Sequence, residues 1–170
     1  MEDDAEELAL RVDQNREYLR RWASWVDRTT TTSDSQKFVR TCLESAISGT
    51  GYHYALLLDA EIVGLVTFNT IEKINRCATL GYWLAKSQTG RGLMTTAAKT
   101  LIREGFRQLE LNRIQARVAT GNYPSQAVCD RLGLKKEGVL RQVEWVNDHL
   151  VDLILYSVLR TEWKPHLDGK

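Results

Sequence analysis

A strand-like segment, a glycine-containing loop and an amphipathic helix follow one another between Arg76 and Leu109. In the last part of this region, apolar residues recur every three or four positions, which predicts a helix. They are Leu93, Ala97, Leu101, Ile102, Phe106 and Leu109. A further strand-like segment, Ile114 to Ala119, follows this helix. Because two strands joined through a helix form a crossover within one sheet, the chain is constrained to a fold that mixes strands and helices.

The residues before this region predict two helical segments. The first runs from Leu8 to Val26 and has a break at Asn15. The second is predicted to be capped by Ser33 or Asp34 and to end at Gly49. The apolar residues expected on one face of this second helix are Phe38, Val39, Leu43 and Ile47.

The predicted strands and the order of the elements define the fold class. Strands are predicted over residues 52–58, 62–69, 76–85, 114–119, 135–145 and 149–159. A helix with Pro124 in its first turn runs to Leu132 and stops at Gly133. Of the 170 residues, 43% are apolar, which is enough for one core. We therefore predict a single α+β (mixed α/β) domain over residues 1–170, with a mixed central sheet flanked by helices.

The composition excludes several classes of function. The chain carries 23 Lys and Arg against 22 Asp and Glu, a net charge of +1, which creates no long-range field to attract a nucleic acid. No apolar run is long enough for a transmembrane helix. The acidic start, Met1–Asp4, is unlike the basic start of a signal peptide. We therefore expect no nucleic-acid partner and no membrane partner.

The cysteines and histidines indicate neither a disulfide framework nor a metal site. The three cysteines are odd in number and widely spaced, which favours a protein of the reducing cytoplasm. His53, His149 and His166 lack the paired spacing that metal ligands usually show. No metal is therefore expected.

The loop from Ala85 to Thr96 contains Gly90 and Gly92 and opens the predicted helix. Glycines let the backbone approach a ligand closely, and the free N–H groups at a helix N-terminus bind anions. Arg91 adds a guanidinium, so the loop suits a pyrophosphate. The Walker sequence Gly-Lys-Ser/Thr is absent, and the dinucleotide fingerprint needs a third glycine where Thr95 stands. Two interpretations stay open here, a pyrophosphate site and a tight strand-to-helix turn.

Further motifs lie on both sides of this loop. They are residues 15–19 with Trp22 and Trp25, Gly81–Leu84, Met94–Ala98, Leu111–Ile114, Asn122 with Ser125, Arg131–Leu134, Glu137–Arg141, Glu144–Asn147, Asp152 and Tyr156. Together with Gly90–Gly92, they resemble the GNAT acetyltransferases of the RimJ/RimL type, which acetylate ribosomal proteins. That family's acetyl-CoA loop is Gln/Arg-x-x-Gly-x-Gly/Ala, and this chain departs from it, with Ser87 at the first position and Gln88 one place away. The resemblance covers nearly the whole chain.

The resemblance implies an enzyme that transfers the acetyl group of acetyl-CoA directly to a primary amine. Such a reaction needs a base that takes a proton from the substrate ammonium and a hydroxyl that protonates the departing thiolate. Backbone N–H groups at splayed strand ends would stabilise the carbonyl oxygen. Members of this family usually open with a strand, whereas this chain begins with an acidic helix. The first strand is therefore expected to be missing or rearranged.

The resemblance implies catalytic roles for two residues. Glu144 is the expected general base, with Trp145 beside it to exclude water from the carboxylate. Ser125 is the expected general acid, with Tyr123 as a rival hydroxyl. Bland alternatives stay open for both, because Glu144 can be a solvated strand residue and Ser125 can stabilise the first turn of a helix.

The resemblance also implies which residues hold acetyl-CoA. Backbone groups of Trp83 and Leu84 would contact the pantetheine amides, and Asn122 would lie near the pantetheine arm, unless it is only a turn residue. The loop residues implied to bind acetyl-CoA are Gln88, Thr89, Gly90, Arg91, Gly92, Leu93, Met94 and Thr95.

Three functions remain open at this point. The branch resemblance favours acetylation of the N-terminal α-amine of a protein, classically a ribosomal protein. The rivals are a small-molecule acetyltransferase, acting on polyamines, amino acids or antibiotics, and a non-catalytic module that binds CoA. The sequence identifies neither the acceptor nor the oligomeric state, which includes the possibility of a homodimer, because acceptor sites lie on variable helices and loops.

Overall fold

The computed structural model describes residues 2–164, with side chains from residue 4 onward. Helices and strands follow one another in the predicted order. The helices are α1 (Glu2–Gln14), α2 (Arg16–Arg20), α3 (Thr32–Ser48), α4 (Leu93–Arg107) and α5 (Tyr123–Arg131). The strands are β1 (Tyr52–Leu58), β2 (Glu61–Glu72), β3 (Cys77–Leu84), β4 (Arg113–Ala119), β5 (Lys135–Val146) and β6 (His149–Leu159). Within residues 2–164, no helix is both long and apolar enough to cross a membrane.

The six strands form one sheet in the order β1-β2-β3-β4-β6-β5. β3 and β4 are parallel, and every other neighbouring pair is antiparallel. α4 lies between the two parallel strands along the chain, as the crossover argument predicts. The predicted fold class, a mixed sheet flanked by helices, is therefore confirmed.

Two hairpins, β1–β2 and β5–β6, turn where the sequence predicts. Asp59 and Ala60 connect β1 to β2 with φ angles of 51° and 65°. Positive φ at both central positions is the geometry of a type I′ turn, whose twist matches that of the flanking strands. Asn147, with φ 56°, lies in the turn between β5 and β6.

The two faces of the sheet pack against different helices. Phe68, Ile102 and Ile114 are fully buried in the main core, on the face that α4 and α5 cover. Leu8 and Val12 of α1 pack with Leu65 on the opposite face. Because successive strand residues point to opposite sides, neighbours along β2 divide between these two cores. The first face of the sheet therefore meets α4 and α5, and the second meets α1 and α3.

The expected start and apolar face of α3 are corrected by the structure. Thr31 is the N-cap, and Asp34 completes a capping box with it, so neither Ser33 nor Asp34 is the cap. Phe38, Leu43 and Ile47 are 38%, 50% and 88% exposed, so they are not a buried face. Of the expected face only Val39 is half-buried, and it shares its side of the helix with Ser35, Cys42 and Ala46. These follow helical spacing and are small, which lets α3 lie close to α1 and β1.

The parallel strands β3 and β4 diverge partway along their length. Their register runs from Cys77 opposite Arg113 to Leu80 opposite Ala116. β3 continues to Leu84 and β4 to Ala119 without pairing to each other. This divergence frees backbone groups on both strands and opens a gap in the middle of the sheet.

Candidate active site

One cavity of about 1030 Å³ occupies the gap between the diverging strands. It brings together most of the site residues predicted from the sequence. Those that line it are Trp83, Leu84, Thr89, Gly90, Gly92, Leu93, Met94, Thr95, Asn122, Ser125 and Glu144. Gln88 and Arg91 do not line it, and the Arg91 guanidinium donates a hydrogen bond to the Gln88 amide oxygen on the outside of the loop.

The glycine-loop end of the cavity, defined by Thr89–Thr95, is built from backbone. Gly90 and Gly92 both have φ 78°, and Gly92 is the N-cap of α4. A Cβ on either glycine would meet no atom within 4 Å, so their backbone conformation, not packing, requires glycine there. The lack of side chains leaves the loop surface open to a ligand.

Free amide groups at this end suit an anion. The first hydrogen bond within α4 runs from the Thr96 N–H to the Gly92 carbonyl at 3.0 Å. The N–H groups of Leu93, Met94 and Thr95 therefore have no partner inside the helix, and the helix dipole adds partial positive charge. Arg131 also lines the cavity and donates to the Thr95 hydroxyl at 3.2 Å. This combination fits the pyrophosphate that the resemblance implies.

Ser125 is tied to a tyrosine in the wall of the cavity. Its hydroxyl lies 2.9 Å from the phenol oxygen of Tyr82, which also donates to the Ser125 carbonyl at 3.1 Å. Burial raises the pKa of Tyr82, so the phenol stays protonated. Asn122 is the N-cap of α5 and accepts the Ser125 N–H at 3.2 Å. Tyr123 is 72% exposed and does not line the cavity.

Glu144 reaches the cavity from β5 through an irregularity in the strand. The register with β6 shifts between Leu140 and Glu144, and Gln142 in this bulge has φ 48°. Bulges redirect the side chains that follow them. The carboxylate accepts a hydrogen bond from the Ser24 hydroxyl at 3.0 Å. Trp145 is 61% exposed and is the next residue along the strand, so the expected shielding of the carboxylate by its indole is not found.

The aromatic end of the cavity lies away from the glycine loop. It is defined by Tyr18, Trp22, Trp25, Phe38 and Trp83. The rings of Trp25 and Trp83 lie 6.4 Å apart with an interplanar angle of 49°. Ser24, the partner of Glu144, is adjacent to Trp25 in the chain, so the carboxylate lies beside this end. The aromatic end therefore offers apolar surface next to one acidic group.

Among the remaining nucleophile and metal candidates, His53 lines this cavity, whereas Cys129 and His149 do not. Cys129 is fully buried, and burial raises the pKa of its thiol to about 11, which keeps it protonated. Within residues 4–164, no three His, Cys, Asp or Glu side chains are grouped so as to hold a metal ion. His166 lies outside the described residues.

Three candidate site residues, Tyr82, Arg131 and Ser24, were not predicted from the sequence. Tyr82 and Arg131 lie inside motifs that carried the resemblance, so their positions were visible although their contacts were not. The motif alone does not show that the Tyr82 phenol reaches across to α5. Ser24 is separated from Glu144 by 120 residues, and no local pattern marks it.

The chain is similar in sequence to known acetyltransferases. The profile of the acetyltransferase (GNAT) domain matches residues 1–135. The Bacillus subtilis protein YdaF is 33% identical over 162 residues, which are 95% of this chain and 88% of that protein. The ribosomal-protein-serine acetyltransferase of Escherichia coli is 30% identical over 144 residues, which are 85% of this chain and 80% of that enzyme.

Solved structures show the same fold. The microcin C7 self-immunity acetyltransferase MccE, in complex with acetyl-CoA and AMP, has a TM-score of 0.90 at 29% identity, over 94% of this chain and 88% of that one. RimL, a ribosomal L7/L12 alpha-N-protein acetyltransferase in complex with coenzyme A, has a TM-score of 0.90 at 27% identity, over 94% of this chain and 90% of that one. Both similarities extend over the sheet and the helices that enclose the cavity.

Proposed function

The chain belongs to the GNAT acetyltransferases, and we propose that its acceptor is the N-terminal α-amine of a protein. It is an N-acetyltransferase that uses acetyl-CoA as the acetyl donor. The relatives named as ribosomal-protein acetyltransferases support a protein acceptor for this chain.

The proposal rests on one observation: a single cavity has two ends of different chemistry. The glycine-loop end offers free amides and Arg131, which suit a pyrophosphate. The aromatic end offers apolar surface and Glu144, which suit an ammonium on an extended chain.

We assign the proton transfers to Glu144 and Ser125. Bound acetyl-CoA supplies a thioester whose carbonyl carbon forms a bond to the amine nitrogen while its C–S bond breaks. The Glu144 carboxylate takes one proton from the ammonium, directly or through one water, so that the nitrogen has a free electron pair. The Ser125 hydroxyl gives a proton to the departing thiolate, and the second proton that the nitrogen loses as the amide forms returns to the Ser125 oxygen.

Tyr82 positions Ser125 for that step. Its phenol donates to the Ser125 carbonyl at 3.1 Å and lies 2.9 Å from the Ser125 hydroxyl, so it holds the serine side chain in place at the wall of the cavity. Backbone N–H groups of β3 beyond Leu80 are free of β4 and are the donors we assign to the carbonyl oxygen. The exposed Tyr123 has no role in this proposal.

A small-molecule amine is the second candidate acceptor. The structural similarity to MccE favours it because that enzyme was solved in complex with a second small molecule, AMP, as well as acetyl-CoA. The aromatic end provides stacking surface that a flat ring system can also use.

Acetyl transfer to a matched panel of amines tests the proposal. The panel contains a peptide with a free N-terminus and no lysine, the same peptide N-terminally blocked with one internal lysine, spermidine and free amino acids. We expect CoA thiol release with the first peptide, and mass spectrometry should place the added acetyl on its α-amine. Modification of the lysine peptide alone, or of small amines alone, would refute the proposed acceptor and leave the family assignment intact.

A further inference from the structure

A row of uncharged polar side chains leads from the gap in the sheet to its edge. His53 on β1 lies opposite Thr67 on β2, and Thr67 lies opposite Gly81 on β3, where the strands begin to diverge. Ser35 on α3 and Asn69 on β2 line the same cavity. We call Ser35, His53, Thr67 and Asn69 the polar row.

The polar row contains buried groups that lack a hydrogen-bond partner. Ser35 has 0% of its surface exposed, and its hydroxyl has no partner among residues 2–164. The buried Nδ1 atom of His53 likewise has none in that part of the chain. Buried polar groups without partners lower the stability of a fold, so most of them in native proteins are paired. A pair of such groups facing one cavity indicates that a ligand supplies the missing partner.

Asn69 is held so that its amide faces the gap. The Thr67 hydroxyl donates to the Asn69 side-chain oxygen at 2.6 Å. A Cβ on Gly81 would come within 2.3 Å of the Asn69 nitrogen, so glycine is what allows this amide to lie against β3. The amide therefore occupies the side of the row nearest to the reacting groups.

The polar row carries no formal charge. Burial lowers the pKa of His53, which keeps its ring neutral near neutral pH. The charged side chains that line the cavity are Arg117, Arg131 and Glu144, on β4, α5 and β5. An ammonium group has only donors and gains most from a carboxylate, so the row is not suited to a second ammonium of a polyamine.

We propose that the polar row binds a hydroxyl side chain in the first three residues of the acceptor chain, as a specificity site. The inference rests on the proposed protein acceptor. Two strand spacings separate Gly81 from His53, about 10 Å, which is the length of about three extended residues. A hydroxyl can both donate and accept, so it satisfies Ser35, His53 or Asn69 whichever way their hydrogens point. An apolar side chain of the same shape in the acceptor would leave the buried groups of the polar row without a hydrogen-bond partner.

Isosteric peptides test this specificity. Threonine and valine have the same shape, so peptides with either residue at position 1, 2 or 3 isolate the hydroxyl. At one of these positions we expect the wild-type enzyme to prefer threonine roughly 10- to 100-fold in kcat/KM, because a site built for a hydrogen bond rejects the analogue that lacks it. The preference should fall below about threefold in Ser35→Ala. In the wild type, a bound valine peptide leaves the Ser35 hydroxyl without a partner, and the variant has no such hydroxyl.

A matched control separates recognition from folding. Ser45→Ala changes the same residue type on the same helix, but the Ser45 hydroxyl donates to the Cys42 carbonyl at 2.9 Å and does not line the cavity. We expect Ser45→Ala to keep the threonine preference. Ser35→Ala should keep or raise the Tm, because it removes a buried hydroxyl without a partner. His53→Phe keeps an aromatic ring against Phe38, 5.7 Å away, and should also weaken the preference.

Each outcome decides a different claim. If no peptide is acetylated, the proposed protein acceptor fails, and this inference fails with it. If peptides are acetylated with equal efficiency for threonine and valine at all three positions, only the inference is refuted. If Ser35→Ala lowers the Tm and keeps the wild-type preference, the hydroxyl is structural and the polar row is not the specificity site.

Discussion

The glycine-loop end and the aromatic end of the cavity are built in opposite ways. The glycine-loop end comes from consecutive residues, Thr89–Thr95, and presents backbone N–H groups. The aromatic end is assembled from side chains on α2, the segment that follows it, α3 and β3, and Glu144 of β5 joins it through a hydrogen bond from Ser24, 120 residues away in the chain. Backbone donors suit a ligand that is the same in every relative, whereas dispersed side chains can change one at a time. The difference supports the proposed placement of the common donor at one end and the variable acceptor at the other.

The two ends also differ in charge. The helix N-terminus and Arg131 make the glycine-loop end positive. The aromatic end has Glu144 beside it and a polar row without charge. The proposed ligand groups, a pyrophosphate and an ammonium, have opposite charges, and each is complementary to the end at which we propose that it binds.

The largest expected effect is the loss of CoA binding when Gly92, at the glycine-loop end, is replaced. Gly92→Glu adds a negative charge at the helix N-terminus and forces a non-glycine residue into φ 78°, so we expect isothermal titration calorimetry to detect no CoA binding. Gly133→Glu is the matched control, because Gly133 has φ 72° and does not line the cavity. It should lose stability and keep CoA affinity. Normal CoA binding by Gly92→Glu would remove the loop from the donor site.

The next largest effect is a loss of turnover when Glu144, the carboxylate beside the aromatic end, is replaced. Glu144→Gln keeps the size and removes the base, so turnover at neutral pH should fall roughly 10²- to 10⁴-fold while CoA affinity is unchanged. The loss should shrink at higher pH, where free amine is abundant without help. A pH–rate profile on one acceptor measures this, with Glu137→Gln on the same strand as a control outside the cavity. Near-normal turnover in Glu144→Gln would show that the base lies elsewhere.

A smaller effect, on kcat, is expected when the Tyr82 phenol is removed from the wall of the cavity. Tyr82→Phe removes the phenol that contacts Ser125 at 2.9 Å and keeps the ring. One neutral hydrogen bond is worth about 0.5–1.5 kcal/mol, so we expect kcat to fall about 2- to 13-fold. KM for acetyl-CoA should stay constant, because the phenol orients the acid and does not bind the donor. A change confined to KM would contradict a positioning role.

The smallest effect concerns a carboxylate outside both ends. Glu137 accepts hydrogen bonds from Arg113 and Ser157, which lower its pKa from 4.5 to about 2. Because the folded pKa is depressed, its stabilisation is complete above pH 4.5 and is lost as the pH falls towards 2. Its side chain is 38% exposed, so solvent screening limits the gain to about 1 kcal/mol or less. The free energies of unfolding of wild type and Glu137→Gln should therefore differ at pH 6 and converge near pH 2; a constant difference would contradict the ion pair.

The sequence predicted the elements whose patterns are local. β1 and β6 have the predicted bounds, because a mainly apolar run between turn residues identifies a strand directly. Gly90 and Gly92 were predictable as an open loop before a helix, since positive φ and a free helix N-terminus depend on a few consecutive residues. The same holds for the crossover helix α4.

The sequence could not predict features that depend on contacts between distant elements. The apolar residues Phe38 and Ile47 suggested one face of α3, but packing against α1 and β1 selected the small residues Ser35 and Cys42 instead. The shielding expected from Trp145 failed for a similar reason, because neighbours on a strand point to opposite sides. The Tyr82–Ser125 contact and the polar row became visible only when strands and helices were placed together.

Hydrogen exchange tests the central claim, that donor and acceptor occupy opposite ends of one cavity. Exchange would be compared for the free enzyme, the CoA complex and a complex with CoA joined covalently to the N-terminus of a peptide. Ligands that fix backbone amides slow their exchange. We predict that CoA alone protects residues 88–96, and that the conjugate protects these together with residues 18–35 and 51–55. Protection by the conjugate that is confined to residues 88–96, or that appears at β5 and β6 instead of α2 and α3, would contradict the account.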